Sequence, residues 1–175
     1  MHLLLSNHSL QLRPITQSDQ AELCRIYAST RTEELRQVGW WTLAQKEAFL
    51  QFQFDAQHHY YQEHYPDAWF WLLLQKGEVI GRLYLQAPAK GSSVCIVDIT
   101  LLPAWRNQGI GQQLLLDIME FATKRGKSIT IHVESFNPAL RLYKRLGFQT
   151  VDTTNAVYHL LKWKASQPQP QEANP

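Results

Sequence analysis

Cysteine is scarce: Cys24 and Cys95 are the only two in 175 residues, and both sit among apolar neighbours far apart in sequence. Neither has another cysteine or a histidine at ligand spacing, so no metal site is expected. Two buried free thiols are the plain reading, ahead of a disulfide. The N-terminus, Met1-His2-Leu3-Leu4-Leu5-Ser6, lacks the basic segment and long apolar stretch of a signal peptide. The longest apolar run, Ala68 to Leu74, is far short of the ~20 residues that span a membrane. A soluble, cytoplasmic protein without membrane contact is therefore expected. A net charge of +2 without a block of like charges gives no footing for nucleic acid. An internal repeat is also lacking, which excludes a solenoid.

Apolar residues are present in ordinary measure, at 45%, enough to build one sizeable core. One domain is expected over residues 1–164. The remaining residues, 165–175, include the run SQPQPQEANP from Ser166, which has three prolines and no apolar face. A disordered tail is expected there.

Local patterns place the elements. A first strand fits Leu10 to Arg13. Thr16 reads as a helix N-cap, followed by the stripe Ala21, Leu23, Cys24, Ile26 and Tyr27. Thr42 with Gln45 makes a capping box for a second helix, which Pro66 stops after Tyr65. Trp69 to Gln75 and Glu78 to Gln86 read as a hairpin about Lys76-Gly77. Val94 to Leu102, apolar on both faces, predicts a central strand. Gly109 to Lys124 has helical apolar spacing. Ile129 to Val133 is a strand, Pro138 to Leu146 a helix, and Phe148 to Val151 and Val157 to Trp163 the last strands. The expected class is α/β (α+β), with helices between the strands of a mixed sheet.

The order strand, Arg106-x-x-Gly109-x-Gly111, helix carries the chemistry. The first N–H groups of a helix lack intrahelical partners and lie at the positive end of its dipole, which makes an anion site. Glycines at 109 and 111 allow close approach to the backbone. Arg106 could add a charged donor. The plain alternative is an ordinary strand-to-helix turn. No Lys-Ser or Lys-Thr follows Gly111, so this is not a P-loop, and the dinucleotide fingerprint is incomplete.

A second segment, Asn137-Pro138-Ala139-Leu140-Arg141-Leu142-Tyr143-Lys144-Arg145-Leu146-Gly147-Phe148, adds to the first. Together the two resemble the GCN5-related N-acetyltransferases. That family combines Arg/Gln-x-x-Gly-x-Gly/Ala with Asn-x-x-Ala-x-x-x-Tyr-x-x-x-Gly-Phe one strand and one helix later. The resemblance implies a single domain with a mostly antiparallel sheet, helices on both faces, and a splayed strand pair holding acetyl-CoA. It implies that Thr100, Leu101 and Leu102 bond the pantetheine arm. The N–H groups of Asn107, Gln108, Gly109, Ile110 and Gly111 would hold the pyrophosphate, and an N–H near Leu101 would steady the oxyanion. Tyr143 matches the tyrosine that protonates the departing thiolate, with a core aromatic as the alternative. Asn137 would bind pantetheine or water, or cap the helix.

The general base is less defined. Many relatives place a glutamate where Val97 stands, just before an aspartate that matches Asp98. Strand alternation predicts that Asp98 points away from that glutamate's place. Other relatives place a glutamate where His132 stands, and an imidazole suits proton transfer near neutrality. Glu134 shares the face of His132. The candidates therefore rank His132, Glu134, Asp98. The implied activity is acetyl transfer to an amine, without a metal. A non-catalytic acyl-CoA-binding domain, and a protein N-terminus or lysine as acceptor, stay open, as does a homodimer. The many aromatics between Thr42 and Tyr65 point to this helix as part of the acceptor site, with Tyr61 and Tyr65 one turn apart, and packing on the sheet or against a partner chain as the alternative.

Overall fold

The computed structural model describes residues 3–155 and 157–165. Seven strands are β1 (Leu10–Pro14), β2 (Ala68–Gln75), β3 (Glu78–Gln86), β4 (Ser93–Leu101), β5 (Ser128–Glu134), β6 (Gln149–Asn155) and β7 (Tyr158–Trp163). They form one sheet in the order β1-β2-β3-β4-β5-β7-β6. Only the β4–β5 pair is parallel. The helices are α1 (Gln20–Ala28), α2 (Thr32–Gln37), α3 (Leu43–His64), α4 (Ile110–Thr123) and α5 (Leu140–Arg145). The expected class and the central place of β4 are observed. No helix among the described residues is long and apolar enough to cross a membrane. Ser166 to Pro175, the expected tail, lies outside the described residues.

Strand alternation sends side chains to two cores. On one face Leu72 and Tyr84 meet Leu23, Ile26 and Tyr27 of α1 and Phe54 of α3. On the other, Leu83, Leu85, Val94, Ile96, Ile131 and Val133 meet α4 and α5. Helix α4 buries Leu114, Leu115, Ile118, Phe121 and Ala122, the stripe its spacing predicts. Each such large aliphatic or aromatic side chain contributes about 1.5–3 kcal/mol.

The Thr42 capping box forms as expected. Gln45 N–H donates to Thr42 Oγ1 (3.2 Å), and Thr42 N–H donates to Gln45 Oε1 (2.8 Å). Helix α3 buries only Phe54 and His58, and Phe52 is left 73% exposed, so its aromatics do occupy more than one face. Helix α2 had no apolar signal because it buries nothing. Ion pairs within the helix region, Arg31–Glu34 (2.7 Å) and Arg36–Glu33, support it instead. Helix α5 starts later than the sequence suggests, since Asn137 Oδ1 accepts the Ala139 N–H (2.9 Å) and forms a turn first.

Candidate active site

Strands β4 and β5 pair from Ser93/Ser128 to Ile96/Ile131 and then part. Beyond that point β4 follows β3 as far as Leu101 opposite Gly81, while β5 follows β7 as far as Glu134 opposite Tyr158. A wedge opens between them. Leu102 N–H donates to Ile80 O and Ser135 N–H to Val157 O, both at 2.8 Å. Hydrogen-bonded pairs alternate along an antiparallel ladder. The backbone groups of Ile99 and Leu101 therefore face the wedge from one side, and those of His132 and Glu134 from the other. Thr100 and Leu102 turn theirs to β3. Of the three residues expected to bond pantetheine, only Leu101 faces the wedge, and Ile99 joins it.

Two local features shape this end of β4. The register shifts between Tyr84 opposite Asp98 and Leu85 opposite Ile96, which leaves Val97 as the extra residue of a bulge. At Gly81 an added Cβ would lie 2.2 Å from Thr100 O, so any side chain there would force the two strands apart.

The anion loop lies at the tip of β4. Gly109 caps α4 with φ of 81°, a left-handed conformation that strains any residue with a Cβ. The first intrahelical bond is Gln113 N–H to Gly109 O (3.0 Å), so the N–H groups of Ile110, Gly111 and Gln112 lack helical partners. A Cβ on Gly111 would stand 3.9 Å from the Leu101 side chain, which sets the helix start beside the wedge. Asn107 also has positive φ, and Gln108 Nε2 donates to Ala104 O (2.6 Å). Buried Ile110 anchors the loop in the core.

The Arg106 side chain departs from expectation. Its Nε donates to Leu101 O (2.7 Å), and its Nη2 donates to Ser29 O (3.2 Å) and Ser29 Oγ (3.0 Å). It fastens the loop to β4 and to the segment after α1. The groups left without helical partners at this end of α4 are backbone N–H groups. Burial without a carboxylate partner lowers the Arg106 pKa.

Tyr143 is 4% exposed on α5 and packs edge-on against Phe148, with ring centroids 5.4 Å apart. Burial first, then the charge on Asp98, pushes its hydroxyl above the ordinary phenol range. Asn137 caps the turn, which satisfies the alternative of a local structural role.

Ion pairs organise the opposite face. Asp98 Oδ1 accepts from Arg82 Nε (3.2 Å) and Thr100 Oγ1 (2.8 Å), and its Oδ2 accepts from Arg82 Nη2 (2.7 Å). Arg82 Nη2 also donates to Gln57 Oε1 of α3 (2.8 Å). Val97 packs in the same α1–α3 core. Asp98 thus does not point away from Val97, because the bulge breaks the alternation and puts both on one face. Glu134 pairs with Arg31 (3.2 Å), which also pairs with Glu34. Burial opposes the charge on Arg31, but Glu34, Tyr27 and Glu134 outweigh it and raise its pKa. His132 is exposed on the same face, and its imidazole makes no hydrogen bond among the described residues. Tyr61 lies over Tyr84, ring centroids 6.1 Å apart, and beside Tyr65 at 6.2 Å. Burial and the Asp98 charge raise its hydroxyl pKa.

Sequence reasoning missed Arg82, Gln57, Arg31 and Ser29. No motif marks them, since Arg82 meets Gln57 across 25 residues and Arg31 meets Glu134 across 103. A lone arginine in the apolar strand Glu78–Gln86 was the one available signal.

Residues 32–148 match the acetyltransferase (GNAT) family. The chain is 32% identical over 109 residues to Probable N-acetyltransferase san of Drosophila melanogaster, a match covering 54% of this chain and 59% of that protein. It is 31% identical over 84 residues to streptothricin acetyltransferase of Streptomyces lavendulae, covering 47% of this chain and 44% of that enzyme. The fold is similar to that of the PaiA N-acetyltransferase from Thermoplasma acidophilum in complex with coenzyme A. The TM-score is 0.65 at 16% identity, over 89% of this chain and 99% of that one. The family match takes in more than half of the sequence, with both the 106–111 loop and the 137–148 segment inside it. The chain belongs to the acetyltransferase (GNAT) family.

Proposed function

We propose that this chain is an acetyl-CoA-dependent N-acetyltransferase in which an amine attacks the thioester directly. The observation that carries this is the wedge beyond Ile96 and Ile131, with a free helix N-terminus at its tip. The diphosphate of coenzyme A has its match in the N–H groups from Asn107 to Gly111. The pantetheine amides have theirs in the wedge-facing groups of Ile99 and Leu101. The sheet separates this cofactor side from the α1–α3 side, where the acceptor enters.

The amine nitrogen bonds to the thioester carbon, and the carbonyl electrons move to oxygen. A β4 N–H, from Ile99 or Leu101, stabilises that oxyanion. The C–S bond then breaks, and its electron pair leaves with sulfur. Tyr143 donates a hydrogen bond and proton to that thiolate. Its raised pKa keeps the hydroxyl protonated as a hydrogen-bond donor to the thiolate, and the proton follows as charge builds on sulfur. The proton lost by the amine passes to His132, the one base candidate without a committed partner among the described residues. Glu134, ion-paired to Arg31, sets the charge beside it. Tyr61 and Tyr65 contribute to the acceptor wall, favouring an amine with an apolar or aromatic body. Two unpaired thiols, Cys24 and Cys95, fit a reducing compartment such as the cytoplasm.

The test offers acetyl-CoA with peptide N-termini, lysine peptides and small aromatic amines, and measures thiol release and product mass. Transfer to at least one class is expected. Coenzyme A binding without transfer to any of them would make the chain a non-catalytic acyl-CoA binder.

A further inference from the structure

We infer that Arg82 is a positioning residue of acetyl transfer: through Asp98 it fixes the bend of β4 that aims the Ile99 N–H at the thioester oxygen. The inference rests on the acetyltransferase reading above and extends it to a residue that touches neither substrate.

Arg82 sits mid-strand in β3, only 2% exposed. Removing a guanidinium from water costs several kcal/mol unless its partners replace the solvent well. Here they do. The Nε–Nη2 edge meets both oxygens of Asp98, Nη2 also reaches Gln57, and the guanidinium lies 5.1 Å from the Tyr84 ring centre. The pair joins β3, β4 and α3, the helix that carries Tyr61.

Neighbours on this face show that the core does not require charge there. Leu72, Phe54 and Leu102 belong to the apolar cluster of this layer, and Leu72 stands opposite Arg82 in the strand register. An apolar pair of similar volume would hold the layers together at least as well. A bidentate ion pair adds direction. Asp98 directly follows the bulge residue Val97 and directly precedes Ile99. Its carboxylate is held from β3 by Arg82 and from its own strand by Thr100 Oγ1. The backbone on either side of Asp98 therefore has little freedom to rotate. A bulge bends a strand, increases its local twist and leaves one residue unpaired, and an oxyanion donor must be held in place before the charge appears. Asp98 is accordingly an anchor and does not accept the amine's proton, since both of its oxygens are committed to fixed donors.

The deciding variant replaces both partners, Arg82→Met with Asp98→Leu, so that no charge is left buried alone. It should melt near the wild-type temperature and keep its KM for acetyl-CoA, while kcat falls about 10²–10³-fold, the usual loss of an oxyanion donor. Wild-type kcat in the folded double variant overturns the inference. Asp98→Asn gives a second reading should the double variant fail to fold. As an anchor it should lower the plateau of the pH–rate profile without moving its acid limb; loss or displacement of that limb would make Asp98 the base and overturn the inference. A spectroscopic arm needs no acceptor. The C=O stretch of carbonyl-labelled acetyl-CoA should fall in frequency on binding to the wild type and return toward the free value in Asp98→Asn. Bound thioester with an unshifted carbonyl in the wild type overturns the inference alone. Failure of acetyl-CoA to bind at all overturns the cofactor reading and takes the inference with it.

Discussion

The two sides of the wedge are built from different materials. The side proposed for the cofactor is mostly backbone: N–H groups at the start of α4, held open by Gly109 at φ 81°, and the exposed ladder edge of β4. The side proposed for the acceptor is mostly side chains: Arg82–Asp98, Arg31–Glu134 and the Tyr61–Tyr84 contact. A backbone site requires particular residues at particular spacings, because only glycine permits certain conformations and approaches. A side-chain network can be assembled from any elements that the fold brings together. The first leaves a motif in the sequence, and the second does not. The segment from Ser29 to Arg31 connects the two sides, with Arg106 of the cofactor loop on Ser29 and Glu134 of β5 on Arg31.

The sharpest test of this division is Tyr143, the side chain proposed to act on the cofactor side. Tyr143→Phe keeps the ring and its contact with Phe148 and removes only the hydroxyl. Turnover should fall about 10²–10⁴-fold, with coenzyme A affinity nearly unchanged. Because burial and Asp98 raise the hydroxyl pKa, the wild type should show no loss of activity from Tyr143 ionisation at or below pH 10, the ordinary phenol value. Unchanged turnover in Tyr143→Phe would return the residue to a packing role.

Next in size is the backbone itself. Gly109→Val forces a β-branched residue into a left-handed conformation, a strain of about 1–3 kcal/mol. No atom lies within 4 Å of an added Cβ at Gly109, so the effect is conformational and not a clash. Affinity for coenzyme A, read by calorimetry, should fall about tenfold to a hundredfold as the N–H groups lose their aim. A smaller loss in the same direction in Gly109→Ala, and none in Tyr143→Phe, would assign the pyrophosphate to the backbone. Retained affinity would move that site elsewhere.

The legibility of this chain follows the same line. Helix α4, the hairpin of β2 and β3, and the Thr42 cap were all readable, since each depends on local periodicity or on residues three apart. Helix α2 was not, because its six residues bury nothing and show no apolar stripe. The orientation of Asp98 was read wrongly, since alternation holds only in a regular strand and the bulge at Val97 depends on pairing with β3. The contact of the Arg106 side chain with Ser29, 77 residues away, has no local signal. The place of β7 between β5 and β6 is likewise a matter of tertiary pairing.

The smallest expected effect lies on the acceptor side, at His58 of α3. Its ring is nearly buried, stacked on Phe54 with centroids 5.4 Å apart. The Nε2 atom lies 3.2 Å from Gln20 Nε2 and 3.1 Å from Gln62 Nε2. If both amides donate, Nε2 must accept and the ring must be neutral. Burial lowers its pKa, Arg82 adds to this, and Asp55 partly opposes it. The unfolded chain then binds a proton near pH 6.5 that the folded chain still refuses. Stability therefore rises with pH across that interval. The contribution is complete above about pH 6.5 and is lost as pH falls toward the lower folded value. Melting temperatures of the wild type and His58→Gln, measured from pH 8 down to pH 5, should run parallel above pH 7 and converge below pH 6.5. Parallel curves throughout would assign the acid loss to another group and leave the polar contacts of α3 without a titrating member.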